Sequence, residues 1–159
     1  MKGTPRGFSY IEILVTLLVL SIILGYAGLN FSSFSKAGKL RHLKGITQNS
    51  LHNFRNLTLI HGNIGVFIEP TSKIFLAYHD KDNSFTYSPG VDRILDSVHI
   101  SEPWATITLD SGTFKETIFY PSGSLSQSIY LRLGIGSDSS RWSGLRMLAA
   151  TGRIQEYGP

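Results

Sequence analysis

Apolar residues follow three different rhythms along this chain. From Ile11 to Leu24 they are almost continuous, interrupted only by Glu12, Thr16 and Ser21, and the uncharged stretch extends through Phe31. That is long enough for a membrane helix, which takes about 20 apolar residues. Farther on, Leu40, Leu43, Ile46, Leu51, Phe54 and Leu57 recur at helical spacing. On a wheel of about 100° per residue they fall within an arc of about 140°, with Arg41, Lys44 and Arg55 beside it. Residues 36–60 therefore predict an amphipathic helix whose apolar face packs on a domain, with Gly62-Asn63 as its stop. After Gly62 the pattern shortens to strands and turns. Ile64–Glu69 and Ile74–Tyr78 flank Pro70-Thr71-Ser72-Lys73 as a hairpin, and Asp80-Lys81-Asp82-Asn83 is turn chemistry. Further strands are expected at Phe85–Tyr87, Val98–Ile100, Thr106–Leu109, Glu116–Tyr120, Ile129–Leu133, Leu145–Leu148 and Arg153–Glu156, with 136–144 as a long mobile loop. A long helix followed only by strands predicts an α+β fold, with the amphipathic half packed on antiparallel sheets.

Charge sharpens this division. Glu12 is the only charge between Arg6 and Lys36, at the head of the apolar run. An ionisable residue there is expensive, so a functional role is the default hypothesis and a partner is to be sought. Residues 32–60 carry Lys36, Lys39, Arg41, Lys44 and Arg55 and no acid, whereas residues 61–159 hold eight bases and ten acids. The net charge of +4 thus belongs to the helix and not to the β-rich part. Lys36, Lys39, Arg41 and Lys44 suit contact with phospholipid headgroups, acidic neighbours in an assembly, or plain solvation. They outnumber Lys2 and Arg6 ahead of the run, so a count of flanking bases does not by itself put the N-terminus on the cytoplasmic side. There is no cysteine, which removes disulfides, thiol chemistry and cysteine-bound zinc.

The stretch Gly7-Phe8-Ser9-Tyr10-Ile11-Glu12 followed by Ile13-Leu14-Val15-Thr16-Leu17 resembles the prepilin signature of type IV pilins and type II secretion pseudopilins. The resemblance implies a basic leader, residues 1–7, cut by a prepilin peptidase after Gly7. It implies N-methylation of Phe8 and an assembly role for Glu12. Residues 8–31 would then be the transmembrane and filament-core helix, 32–61 the amphipathic helix, and 62–159 a periplasmic head. The protein would be anchored once in the bacterial inner membrane with its N-terminus inside, and its partners would be other pilin or pseudopilin subunits. Many pilins close the C-terminal segment with a disulfide; here strand pairing must do so. Major pilins often carry proline at the position of Leu29, and its absence argues against a sharp kink. Farther along, Ile118-Phe119-Tyr120-Pro121-Ser122-Gly123, the strand at 129–133, Leu145–Leu148 and Gly152-Arg153-Ile154 resemble the H/T type of minor pilins and pseudopilins. In T-type members implicated in DNA binding, a second base follows that Gly-Arg two positions on. Gln155 stands there in this chain, although Arg132, Arg141, Arg146 and Arg153 still offer a patch.

Two other readings of the start remain. An ordinary signal peptide would use Lys2 and Arg6 as its basic region and be cut after Ala27. A simple anchor would leave Glu12 at the membrane interface. Glu12 fits the first poorly, and neither explains the spacing from Gly7 through Phe8 to Glu12. In function, the sequence points to a minor structural subunit of a pilin-like filament, first the type II secretion pseudopilus. The alternatives are a minor type IV pilin for assembly, adhesion or DNA uptake, and a secreted ligand-binding β protein of the periplasm.

Enzymatic and cofactor chemistry finds no support. His42, His52, His61, His79 and His99 lack ligand spacing. Gly134-Ile135-Gly136 has no third glycine for a dinucleotide loop, and Ser122 and Ser124 lie in turns without a nucleophile elbow. Asp80, Asp82 and Ser84 alternate as calcium ligands do, but Phe85 stands where a calcium loop needs glycine, so a turn is the better reading. No metal or cofactor is expected, and nucleic-acid binding through bulk charge would want a larger basic surface.

Overall fold

The computed structural model describes residues 9–110, 112–136 and 138–158. The chain divides into two compact units, residues 1–38 and 39–159. One helix, α1 (Tyr10–His61), supplies most of the described part of the first unit and, among the described residues, the one helix of the second. It starts where the Glu12 and Ile13 amides bond the Ser9 carbonyl at 3.0 and 3.2 Å. It runs through Leu29 as one helix and stops at Gly62, whose amide bonds the Thr58 carbonyl at 3.0 Å and whose φ is +82°. Such a left-handed residue just past the last turn is the ordinary glycine ending of a helix.

Among the described residues of the second unit eight strands form two antiparallel sheets. These are β1 (Ile64–Glu69), β2 (Ile74–His79), β3 (Arg93–His99), β4 (Ala105–Leu109), β5 (Glu116–Phe119), β6 (Ile129–Ile135), β7 (Asp138–Met147) and β8 (Ile154–Tyr157). The first sheet has the order β3-β2-β1-β5 and the second β4-β6-β7-β8, so the chain leaves the first sheet for β4 and returns for β5. Leu43, Leu51 and Phe54 of α1 share one core with Ile64, Val66, Ile68, Phe75, Phe119, Ile129, Leu131, Leu133, Leu145 and Met147. Leu40, Ile46 and Leu57 flank it, which gives the helix face its periodicity. Thr47, Ser50 and Thr58 are buried on α1 as well. Their hydroxyls donate to carbonyls one turn back, on Leu43, Ile46 and Arg55, at 2.9, 2.9 and 2.7 Å. This satisfies them internally and lets polar residues join an apolar face.

The outer face of the first sheet is buried at one place, around Gly65 and Tyr78. Tyr78 lies across Gly65 of the neighbouring strand, where any Cβ would overlap the ring. The Tyr87 ring covers Tyr78 and Phe67 at 5.2 and 5.7 Å between centroids. The Tyr78 side chain is fully buried, and its hydroxyl has no hydrogen-bond partner among the described residues.

Three expectations from the sequence need correction. Phe85–Tyr87 is not a strand: Asn83 and Phe85 have φ of +54° and +62°, and the Asp80 carboxylate takes the Ser84 and Phe85 amides at 3.1 and 2.9 Å. An aspartate that gathers nearby amides competes with the sheet ladder. The strand expected at Val98–Ile100 begins five residues earlier, at Arg93, because β3 follows β2 through a register shift at Ala77/Tyr78. The segment 136–144 is not a loop. Most of it forms the first part of β7, which pairs with β6 at Asp138 and from Trp142 to Gly144 and reaches β8 only at Gly144. Backbone pairing with β6 outweighs the weak strand propensity of these polar residues.

Candidate functional site

The start of α1 is an apolar surface with one acid. Tyr10–Gly28 is 19 residues with mean hydropathy 2.2, long and apolar enough to cross a membrane, and none of it is buried. Its two aliphatic hydroxyls are satisfied within the helix, Thr16 to the Ile13 carbonyl at 2.8 Å and Ser21 to that of Leu18 at 2.7 Å. A helix surrounded by hydrocarbon requires this, since no water is there to take the bond. Glu12 is exposed in the first turn, ahead of the exposed Ile13, Leu14 and Val15. Near a helix N-terminus the free backbone amides favour a negative charge. Gly7 and Phe8, the expected cleavage and methylation positions, lie outside the described residues.

The four bases that follow do not behave alike. Lys36 is half-buried. The Lys39 ammonium stands over the Trp104 ring, 5.5 Å from its centroid. Lys44 bonds Glu156 of β8 at 2.7 Å. Arg41 is exposed and has no side-chain partner among the described residues. Between them His42 lies 3.7 Å from Glu102. Lys39 and Lys44 are thus engaged with Trp104 and Glu156, whereas Arg41 is not engaged by any side chain among the described residues.

The C-terminal arginines meet on the outer face of the second sheet. Pairing sets Tyr130, Arg146 and Gln155 in one row, and Arg132, Gly144 and Tyr157 in the next row on the same face. Arg132 forms an ion pair with Asp110 and stacks over Trp142 at 4.7 Å. Trp142 and Tyr130 meet the Tyr157 ring edge-on at 5.7 and 5.9 Å. The Tyr157 hydroxyl donates to Asp110 at 2.7 Å; burial first, then this bond, pushes its pKa up to about 12. The Arg146 guanidinium donates to the Gln155 side-chain oxygen at 3.1 Å. Arg153 is exposed just before β8, and the Arg141 side chain lies outside the described residues. Arg132 and Arg146 are therefore brought together, one of them neutralised by an acid. Sequence reading missed Trp104, Asp110 and Glu156, because each is far in the chain from the cation it engages.

Asp80, Asp82 and Asp92 hold carboxylate oxygens within 4.8 Å of one another in the segment between β2 and β3. Backbone amides occupy them: Ser84 on Asp80 and Asp82, Phe85 on Asp80, and Lys81 and Ser88 on Asp92 at 3.0 and 2.6 Å. Hydrogen bonds from Ser84 hold Asp82 below the usual carboxylate range. No histidine joins a group of candidate metal ligands among the described residues.

No protein-family model matches this sequence, and no curated protein matches it. Among solved structures it is similar to the type IV minor pilin FimU of Pseudomonas aeruginosa (strain PAO1), with 14% identity and a TM-score of 0.61 over 79% of this chain and 92% of that one. It is also similar to the minor pseudopilin EpsH of the Vibrio cholerae Type 2 Secretion System, with 9% identity and a TM-score of 0.54 over 76% and 97%. With its N-terminal apolar helix and its two antiparallel sheets around the second half of that helix, the chain has the α+β, pilin-like fold of the minor pilins and minor pseudopilins.

Proposed function

We propose that this protein is a minor structural subunit of a pilin-like filament, with no catalysis of its own. The observation that carries the proposal is the exposed apolar helix Tyr10–Gly28, headed by Glu12 and continued into a pilin-like head. In this reading a prepilin peptidase cuts after Gly7 and Phe8 becomes the methylated N-terminal residue. The chain waits in the inner membrane with its head in the periplasm until it joins other pilin or pseudopilin subunits. An unpaired carboxylate in hydrocarbon costs several kcal/mol. The methylated, still cationic amine of a neighbouring Phe8 would neutralise Glu12 and fix the axial register of successive helices.

The experiment is a pair of variants followed by intact mass and filament shearing. Glu12→Ala is expected to be processed and inserted normally yet largely absent from sheared filaments; incorporation at the wild-type level sinks the role of Glu12. Gly7→Leu is expected to leave the leader uncut. A mature mass that begins at Gly28 would instead mark an ordinary signal peptide.

Among such filaments the type II secretion pseudopilus is our first reading, because Gln155 replaces the second base of the DNA-binding tail and is spent on Arg146. A minor type IV pilin is the second, favoured by the similarity to FimU and by Arg132 and Arg146 on one sheet face. A DNA gel shift of the full chain at two salt concentrations separates them. A pseudopilin gives no shift at either, whereas a DNA-uptake pilin gives one that weakens steeply with salt.

A further inference from the structure

A cleft of about 230 Å³ lies between the last turns of α1 and the β5–β6 connection, lined by Arg55, Asn56, Thr58, Leu59 and Pro121–Gly123. Its wall on the sheet side is a built turn. The Gly123 amide bonds the Tyr120 carbonyl at 2.8 Å, the Tyr120 amide bonds that of Ser124 at 3.0 Å, and the Ser122 and Ser124 hydroxyls are 2.8 Å apart. Gly123 has φ of +86°, and a Cβ there would stand 3.0 Å from the Arg55 guanidinium. Behind the turn, Gly152 approaches so closely that any Cβ on it would overlap the Gly123 carbonyl. The turn is thus held from both sides and leaves room for the guanidinium.

Arg55 itself is the anomaly. It is half-buried, yet its side chain makes no hydrogen bond or ion pair among the described residues, and the lining contains no acid. A partly desolvated cation without a partner is costly. Its planar fork of donors matches a carboxylate, which it holds through two parallel bonds. Asn56 and Ser122 line the cleft with it, as does one large apolar residue that is also exposed, Leu59 at 78%. One positive charge suits one carboxylate better than a dianion. The volume is also below the range of about 300–1,000 Å³ typical of cofactor and drug-sized ligands. Arginine is, moreover, among the residue types enriched in protein-binding hot spots.

We propose that this cleft receives a carboxylate side chain, flanked by an apolar residue, from another protein chain. The test uses the full ¹⁵N-labelled chain in detergent micelles, titrated with acetyl-Leu-Glu-Leu-amide, with its glutamine counterpart, and with inorganic phosphate. The Glu peptide is expected to shift the Arg55 Nε–H and the Ser122 and Gly123 amides saturably, with a Kd on the order of 1 mM. The Gln peptide should bind about tenfold more weakly or not at all, and phosphate no better than the Gln peptide. Arg55→Gln should abolish the shifts, and Arg55→Lys should weaken them several-fold, since lysine lacks the fork. Leu59→Glu, a change at an exposed position, should also abolish them by placing a like charge at the mouth, which keeps the test decisive if Arg55→Gln unfolds. Absence of saturation with the Glu peptide, equal response to the Gln peptide, persistence in Leu59→Glu, or a larger response to phosphate would each overturn the proposal. The titration needs no filament and stands apart from the function proposed above.

Discussion

Between Tyr10 and Gly28 every side chain is exposed, from Ile11 at 70% to Leu24 at 64%, although the stretch is the most apolar of the chain. Within residues 39–158, by contrast, Leu43, Leu51 and Phe54 of the same helix are fully covered by strands. One segment leaves its apolar surface uncovered; the other finds its cover inside the chain. The first is therefore specified by length and hydropathy alone, and the second by periodicity, register and packing. Changes to single residues should be felt very differently in the two.

The widest gap is expected between two truncations. Phe54→Ala should destabilise the head by about 3–5 kcal/mol, read as a lowered thermal midpoint by near-UV circular dichroism in detergent. Leu17→Ala, at a large apolar residue that is exposed, should leave that midpoint where it was. Equal effects would break the distinction between the segments.

Next in size is the outer face of the first sheet. Gly65→Ala drives a methyl into the Tyr78 ring and should cost a few kcal/mol, as overpacking does. Tyr78→Phe removes a buried hydroxyl without a partner and should stabilise the head by about 1 kcal/mol in chemical denaturation. A loss instead would reveal a bond that the hydroxyl makes.

Alkaline pH gives a third, smaller test. The Tyr157 phenol titrates near 10.0 when free and is pushed up to about 12 in the fold, by burial and by Asp110. Burial, followed by the charges of Glu116 and Asp80, raises Tyr78 as well. Between these values the unfolded chain gives up protons that the folded one keeps. Stability should be complete below about pH 10 and should fall as pH rises through 10 towards 12. Tyr157→Phe should make that decline shallower in pH-dependent melts.

The smallest effect belongs to Lys44 and Glu156, half in solvent. A double-mutant cycle to alanine should give a coupling below about 1 kcal/mol that shrinks with added salt.

The long helix, its core-facing residues Leu43, Leu51 and Phe54, its stop at Gly62 and the Pro70–Lys73 hairpin were legible because each depends on residues close in the chain. Thr47, Ser50 and Thr58 were not, because their burial rests on back-bonding to their own helix rather than on apolarity. The first part of β7 was hidden by polar composition, since what makes it a strand is backbone pairing with β6 and not the side chains it carries. Glu12 could be singled out by rarity alone. Arg55 could not: it looked like one more base beside the apolar arc, and only the turn at Gly123 leaves its guanidinium in a cleft without a counterion.

The final strand carries a further consequence. It is fastened by four register pairs to β7, by the Tyr157–Asp110 bond and by the edge-on contacts of the Tyr157 ring with Trp142 and Tyr130, in a chain without cysteine. No covalent cross-link has to form before the head closes. Its maturation needs no oxidant and no disulfide isomerase, and reducing agents have nothing in it to cut. The timing of folding is therefore independent of the redox poise on whichever side of a membrane the head is made.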